Sequence, residues 1–292
     1  MLFEKPFALL IGPQRSGTTW VDRYLRSRGD ICLPEAVKEI FFFDRHFDRG
    51  LDYYRGHFAP KPDHKMIMEI TATSFDHSDA PQRIYDSCGD NIRLVCPLRH
   101  PIIRSYSLYL HYLRYGIVTG TLQEAIEQEP QIITSSFYAD HLRGWFDQFG
   151  QDKVHIIFQE DLEHNQEKFI HSLCDALGIE YQAANPEVQG KYNVTTFSNF
   201  GFVAAFSQRV ADGLRACNLY QVINFAKAIG LKQLIFGKER PDTQKNNIPP
   251  EDFQFLLEKL EGQIEALERL IGHKVERWHT ITNDHRSDIT PS

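Results

Sequence analysis

The chain has no apolar run approaching the ~18–20 residues that span a bilayer. It has no linker rich in proline, glycine or serine, no internal repeat and no low-complexity tract. With 292 residues, 42% hydrophobic and 24% charged, it reads as one large domain over 1–280 followed by a flexible tail, 281–292. Cysteine is scarce: Cys32, Cys88, Cys96, Cys174 and Cys217 are scattered, odd in number and never spaced C-x-x-C. That argues against a disulfide framework and points to buried thiols in a reducing compartment. His46, His57 and His64 lack H-x-x-x-H spacing, so no metal is expected. Excess positive charge is also missing. A net charge of −7 excludes a general binder of nucleic acid or anionic membranes, though not a local basic cleft. The first strand begins almost at Met1, leaving no room for a signal peptide, so a cytoplasmic protein is expected. Oligomeric state is not legible.

What is present is concentrated at Gly12-Pro13-Gln14-Arg15-Ser16-Gly17-Thr18-Thr19-Trp20. An apolar strand, Phe7 to Ile11, precedes it, and a helical pattern follows, with Trp20, Val21, Tyr24 and Leu25 on one side. A strand, a glycine-bounded turn and a helix start form an anion cradle. The first N–H groups of a helix have no intrahelical partner, and the helix dipole adds positive charge there. Ser16, Thr18 and Thr19 add hydroxyl donors. A phosphate is the natural occupant. The loop of nucleoside triphosphatases reads G-x-x-x-x-G-K-[ST]. Here the glycines are spaced that way, but Thr18 replaces the lysine that reaches the β- and γ-phosphates. The cation lies inside the loop instead, as Arg15.

This loop resembles the 5′-phosphosulfate-binding loop of sulfotransferases that use PAPS (3′-phosphoadenosine 5′-phosphosulfate). The resemblance runs over most of residues 6 to 162 and returns weakly at 240 to 278. It implies an α/β, P-loop-like three-layer fold with a central parallel sheet flanked by helices. Gln14, Arg15, Ser16, Gly17, Thr18 and Thr19 would hold the 5′ end of PAPS. Arg99-His100-Pro101, after the strand Ile92–Leu98, has a serine, Ser107, eight residues beyond the arginine. It resembles the family's 3′-phosphate site, where a dianion needs a guanidinium and a hydroxyl. Lys191 and Asn193 fall where the family has a basic loop over the 3′-phosphate and adenine.

Lys38-Glu39-Ile40-Phe41-Phe42-Phe43 resembles the K-E-x-x-F-F stretch of the heparan sulfate sulfotransferases, in which the glutamate is the catalytic base. Glu39 matches it, and a carboxylate beside apolar rings becomes a better proton acceptor. The bland reading is an exposed Lys38–Glu39 pair with the phenylalanines in the core. His46, His57 and His64 are the rival bases. In the strand Met66–Thr71, Ile70 stands where the 3-O-sulfotransferases carry a lysine after the glutamate, which argues against heparan itself as acceptor. Tyr138 is read as either a ligand contact or core. A helix is expected over about 135–149, others near 202–216 and 219–229, and a last one over about 250–271.

The resemblance implies transfer of a sulfuryl group from PAPS to an acceptor hydroxyl of a carbohydrate or small molecule, or to an amine, releasing PAP. Arg15 would act as electrostatic stabiliser or proton donor. The alternatives are a P-loop nucleotide phosphotransferase and a non-catalytic PAP-binding module.

Overall fold

Phe7–Leu10 is apolar at every position because it is the middle strand of a parallel sheet covered on both faces. The computed structural model describes residues 2–189, 194–195, 240–241 and 248–289. Strands β1 (Phe7–Leu10), β2 (Ile31–Cys32), β3 (Met66–Ile70), β4 (Ile92–Leu98) and β5 (Val154–Phe158) lie in the order β2-β3-β1-β4-β5. Every neighbouring pair is parallel. A short antiparallel pair joins β6 (Val194–Thr195) to β7 (Arg240–Pro241). The helices are α1 (Thr18–Arg28), α2 (Phe42–Arg45), α3 (Gly50–Arg55), α4 (Ala80–Cys88), α5 (Pro101–Arg114), α6 (Leu122–Gln128), α7 (Gln131–Thr134), α8 (Tyr138–Phe149), α9 (Gln159–His164), α10 (Gln166–Leu177), α11 (Pro186–Gln189), α12 (Pro250–Lys259), α13 (Gln263–Ile271) and α14 (Glu276–Ile289). Among the described residues, no helix is long and apolar enough to cross a membrane.

The contacts cluster into two units: Met1–Pro101 with Ser135–Tyr192 and Gly262–Asp284, and Ile102–Thr134 with Asn193–Glu261 and His285–Ser292. The first holds the five-stranded sheet. Alternate residues of β1 face opposite sides, which makes three layers. Phe7 and Leu9 join one core with Phe42, Phe43, Tyr54, Trp145 and Trp278. Ala8 and Leu10 join another with Trp20, Tyr24, Phe169 and Leu173. Pro97 is tolerated in β4 because it lies past Val95, where pairing with β1 ends. In the second unit a capping box of Thr121 and Glu124 starts α6. The Arg104 guanidinium, fully buried, donates to the Ile132 carbonyl at 2.6 Å, and the Phe253 and His285 rings stack at 4.6 Å.

Three expectations change. The apolar stripe over 250–271 is two helices, because Leu260 ends α12 and Gly262, in left-handed backbone at φ 74°, starts α13. The helix expected from 135 begins at Tyr138, after α7 has ended at Thr134. Residues 281–289 are no loose tail but the last turns of α14. Thr282 is buried there and bonded to His100 Nε2 at 2.9 Å. The helices expected near 202–216 and 219–229 lie outside the described residues.

Candidate active site

The loop between β1 and α1 is held by backbone on both sides. Ile11 N–H donates to Val95 O of β4 at 2.9 Å. Gly12 has φ +99°, and a Cβ there would meet Ala72 O at 2.2 Å, so this position admits only glycine. Gly17, at φ 83°, precedes α1. No side chain caps that helix, and its first turn contains no acidic residue. The positive end of its dipole therefore stays unneutralised. Ser16 is fully buried and its Oγ has no hydrogen-bond partner. A buried hydroxyl without a partner is costly, and here it belongs to a loop of donors. Thr18 is buried, Gln14 and Arg15 are half-buried, and Thr19 is exposed. This donor set suits a phosphate or phosphosulfate.

Arg99 follows β4 directly and is buried. Its Nη1 donates to Arg15 O at 3.5 Å and its Nη2 lies 3.7 Å from Glu163 Oε1. That is a loose ion pair, since a tight charge-assisted bond is about 2.8 Å. Two supports fix its backbone: Tyr138 Oη donates to Arg99 O at 2.6 Å, and His100 N–H donates to Glu160 Oε1 at 2.7 Å. Burial pushes the Glu160 carboxyl above its ordinary range. Tyr138 is thus core and clamp at once. In the order β2-β3-β1-β4-β5 the chain leaves β1 towards one edge and β4 towards the other. Their carboxyl ends form the crevice where open parallel sheets bind ligands. Ser107, buried on α5, belongs to the second unit. Lys191 and Asn193 lie outside the described residues.

Glu39 is 16% exposed and its Oε1 accepts from Lys38 Nζ at 2.8 Å. Lys38 Nζ also donates to Thr18 Oγ1 at 3.1 Å. The structure therefore brings the base candidate, a lysine and the phosphate loop together. The carboxyl that the aromatic rings desolvate is another one, Glu69. It is fully buried, with Oε1 accepting from Ile40 N–H at 3.0 Å and Oε2 from Tyr54 Oη at 2.6 Å. Burial pushes it up to about 8. Tyr54 packs against Phe42 and Phe43 at 4.8 and 5.1 Å. Glu69 anchors the amide next to Glu39, a role the sequence reading missed. The signal was a carboxylate inside the apolar strand Met66–Ile70.

The three histidines are engaged elsewhere. His46 and His57 pack edge-on against Tyr53, at 6.5 and 4.9 Å. Burial, with Arg49 second, lowers the proton affinity of both. His64 Nδ1 accepts from Lys61 N–H at 2.9 Å.

The sulfotransferase domain family matches residues 5–200. The chain is 28% identical over 207 residues to a bifunctional heparan sulfate N-deacetylase/N-sulfotransferase of Drosophila melanogaster, covering 60% of this chain and 20% of that protein. It is 28% identical over 189 residues to heparan sulfate glucosamine 3-O-sulfotransferase 6 of Mus musculus, covering 60% and 53%. The chain thus spans between a fifth and about half of the length of these relatives. Among solved structures, a sulfotransferase from Alicyclobacillus acidocaldarius is similar with a TM-score of 0.66 and 18% identity, covering 95% of this chain and 100% of that one. The likeness is one of fold.

Proposed function

Since this chain belongs to the sulfotransferase domain family, we propose that it moves a sulfuryl group from PAPS to an acceptor hydroxyl and releases PAP. The observation that carries this is the loop Gly12–Gly17. It presents an unneutralised helix N-terminus and a buried, unpartnered Ser16 hydroxyl, with Lys38 bonded to Thr18 and Glu39 bonded to Lys38. PAPS supplies an activated S–O bond; the chain supplies charge and position. The amides of residues 15–19 and the Thr18 and Thr19 hydroxyls hold the 5′-phosphate. Arg99 holds the 3′-phosphate, with Ser107, Lys191 and Asn193 assigned to the same task by their place in the sequence. Glu39 takes the acceptor's proton. Arg15 stabilises the charge that grows on the leaving 5′-phosphate. A guanidinium group as such stays protonated, which favours that electrostatic role over proton donation.

The matched heparan sulfate enzymes make a sugar the leading acceptor class, and Ile70 in place of a lysine after Glu69 speaks against heparan itself. The four described cysteines are free, in keeping with a cytoplasmic setting. The family match runs through segments of both units, which supports treating them as one sulfotransferase domain.

Calorimetric titration with PAP tests the assignment, on wild type and Arg99→Ala, with and without Mg²⁺, and with ATP as control. Expected is PAP binding that ignores Mg²⁺, excludes ATP and collapses in the variant. Metal-dependent ATP binding with indifference to PAP would restore the phosphotransferase. PAP affinity without any turnover of PAPS would identify a binding module.

A further inference from the structure

We propose that Thr282 is a positioning residue for the 3′-phosphate of the donor, aiming Arg99 through His100. The proposal rests on the sulfotransferase reading and adds to it a residue of α14, from the stretch expected as a tail. Among the described residues, both contacts of the Arg99 guanidinium are long, 3.5 Å to Arg15 O and 3.7 Å to Glu163 Oε1. Its direction is therefore set less by ion pairing than by the backbone that carries it. That backbone is held at three points: the Tyr138 hydroxyl on Arg99 O, the Glu160 carboxyl on the His100 N–H, and Thr282 on the His100 ring. The Thr282 hydroxyl has one hydrogen to give, and it donates it to Trp278 O at 2.9 Å. Its oxygen therefore accepts from His100 Nε2–H, also at 2.9 Å.

The same helix touches each of the other two holds. His100 and Trp278 are fully buried, and Thr282 is 8% exposed. The Trp278 ring packs against His100 at 6.0 Å, Tyr138 at 5.9 Å and Phe158, the last residue of β5, at 5.5 Å. Burial raises the proton affinity of Glu160, and the Trp278 indole is the largest of the groups that lower it. Residues 276–284 of α14 lie in one unit with Arg99 and the sheet. Apolar side chains could fill this space at little or no loss of stability. What a hydrogen bond adds is direction, and a bonded chain in a buried site holds one geometry. This chain runs from the Trp278 carbonyl through Thr282 to the His100 ring, one residue from the guanidinium that the 3′-phosphate needs. A planar fork binds a dianion well only when it is correctly turned. The 5′-phosphate loop is fixed by other contacts, Ile11 N–H on Val95 O and Gly12 against Ala72 O. Loosening His100 should therefore register at the 3′ end of the nucleotide and spare the 5′ end.

PAP and AMP (adenosine 5′-monophosphate) differ only in the 3′-phosphate, so the ratio of their affinities isolates this end of the site. The full chain is titrated with each by calorimetry for wild type, Thr282→Val, Thr282→Ala and Thr282→Ser, and urea unfolding checks that each is folded. Valine keeps the shape and removes the hydroxyl, alanine removes it without adding bulk, and serine keeps it. In Thr282→Val and Thr282→Ala, PAP affinity is expected to fall about tenfold while AMP affinity stays within about twofold; Thr282→Ser is expected to hold PAP affinity within about threefold of wild type. Equal losses for PAP and AMP would make Thr282 a packing residue and overturn the proposal. Unchanged PAP affinity without the hydroxyl would overturn it too, as would a serine variant that loses as much as valine. A wild type that binds neither nucleotide would overturn the sulfotransferase reading itself.

Discussion

Replacing Glu69 by glutamine tests whether the carboxyl behind the Glu39 segment is neutral in the folded chain. Glu69 accepts from Ile40 N–H and Tyr54 Oη in full burial. Burial pushes it from an ordinary 4.5 to about 8. A tenfold change in proton affinity is worth about 1.4 kcal/mol, so ionising Glu69 in place costs up to about 5 kcal/mol relative to the unfolded chain. The sign follows from where the proton resides. Below 4.5 both folded and unfolded chains carry it, and pH has no effect through this group. Between 4.5 and about 8 only the folded chain keeps it, so stability falls as pH rises. Above about 8 both forms are ionised and the fall ends. Glutamine stays neutral throughout and still accepts from Ile40. The assay is urea unfolding at closely spaced pH from about 5 to about 9. It is read by the fluorescence of Trp20, Trp145 and Trp278, all buried. Wild type should lose about 1.4 kcal/mol per pH unit more steeply than Glu69→Gln between about pH 5.5 and 7.5. The other displaced groups cancel in the difference between the two proteins: Asp22 and Glu160, raised by burial, and His46, His57 and His155, lowered by it. Parallel curves over that range would refute the reasoning, and so would a wild type that gains on the variant as pH rises.

Further outcomes follow from the loop and its supports. Gly12→Ala forces a Cβ to 2.2 Å from Ala72 O at φ +99°; a loss of about 1–3 kcal/mol in urea unfolding is expected, with weaker PAP binding by calorimetry. Unchanged affinity would count against the loop as the nucleotide site. Glu39→Gln should leave PAP affinity within about threefold while PAP formation from PAPS falls about 10²-fold or more; full turnover would remove Glu39 as base. Tyr138→Phe takes the donor from Arg99 O, which should cost about 1 kcal/mol of stability and lower PAP affinity several-fold. A variant with wild-type affinity would limit Tyr138 to packing.

Legibility in the sequence followed how local the physics is. Residues 12–20 announce themselves because glycine spacing, a preceding apolar run and a following helix period sit on consecutive residues. Arg99 was found the same way, from its place at the end of β4. Glu69, Glu160 and Lys38 act through partners 29, 60 and 20 residues away in the chain, and no local pattern encodes such pairings. Glu39 shows the limit of composition: Phe42 and Phe43 are fully buried as expected, yet they surround Tyr54, and the carboxyl that shares their site is Glu69. The long stripe over 250–271 kept its helical period across Gly262, so periodicity alone could not show that the chain changes units there.

Two non-glycine residues of the described chain have left-handed backbone, Arg15 at φ 72° and Phe41 at φ 57°. Each costs about 1–2 kcal/mol. A turn that needed only a bend would use glycine, as positions 12 and 17 of the same loop do. Position 15 combines the bend with a guanidinium. Position 41 needs the bend and a ring, which carries the Arg45 guanidinium at 4.6 Å. The strain at Phe41 is offset by what the same segment buries: Phe42 and Phe43 enter the core, Tyr54 packs on them, Tyr54 bonds Glu69, and Glu69 holds Ile40 N–H. The core thereby sets where Glu39 stands. The loop is set separately, by Gly12 against residue 72 and by Arg99 bonded to Arg15 O. Lys38 touches both halves after each is already fixed. A partly exposed side chain in that position contributes little to folding, so its replacement should cost no more than about 1 kcal/mol in urea unfolding.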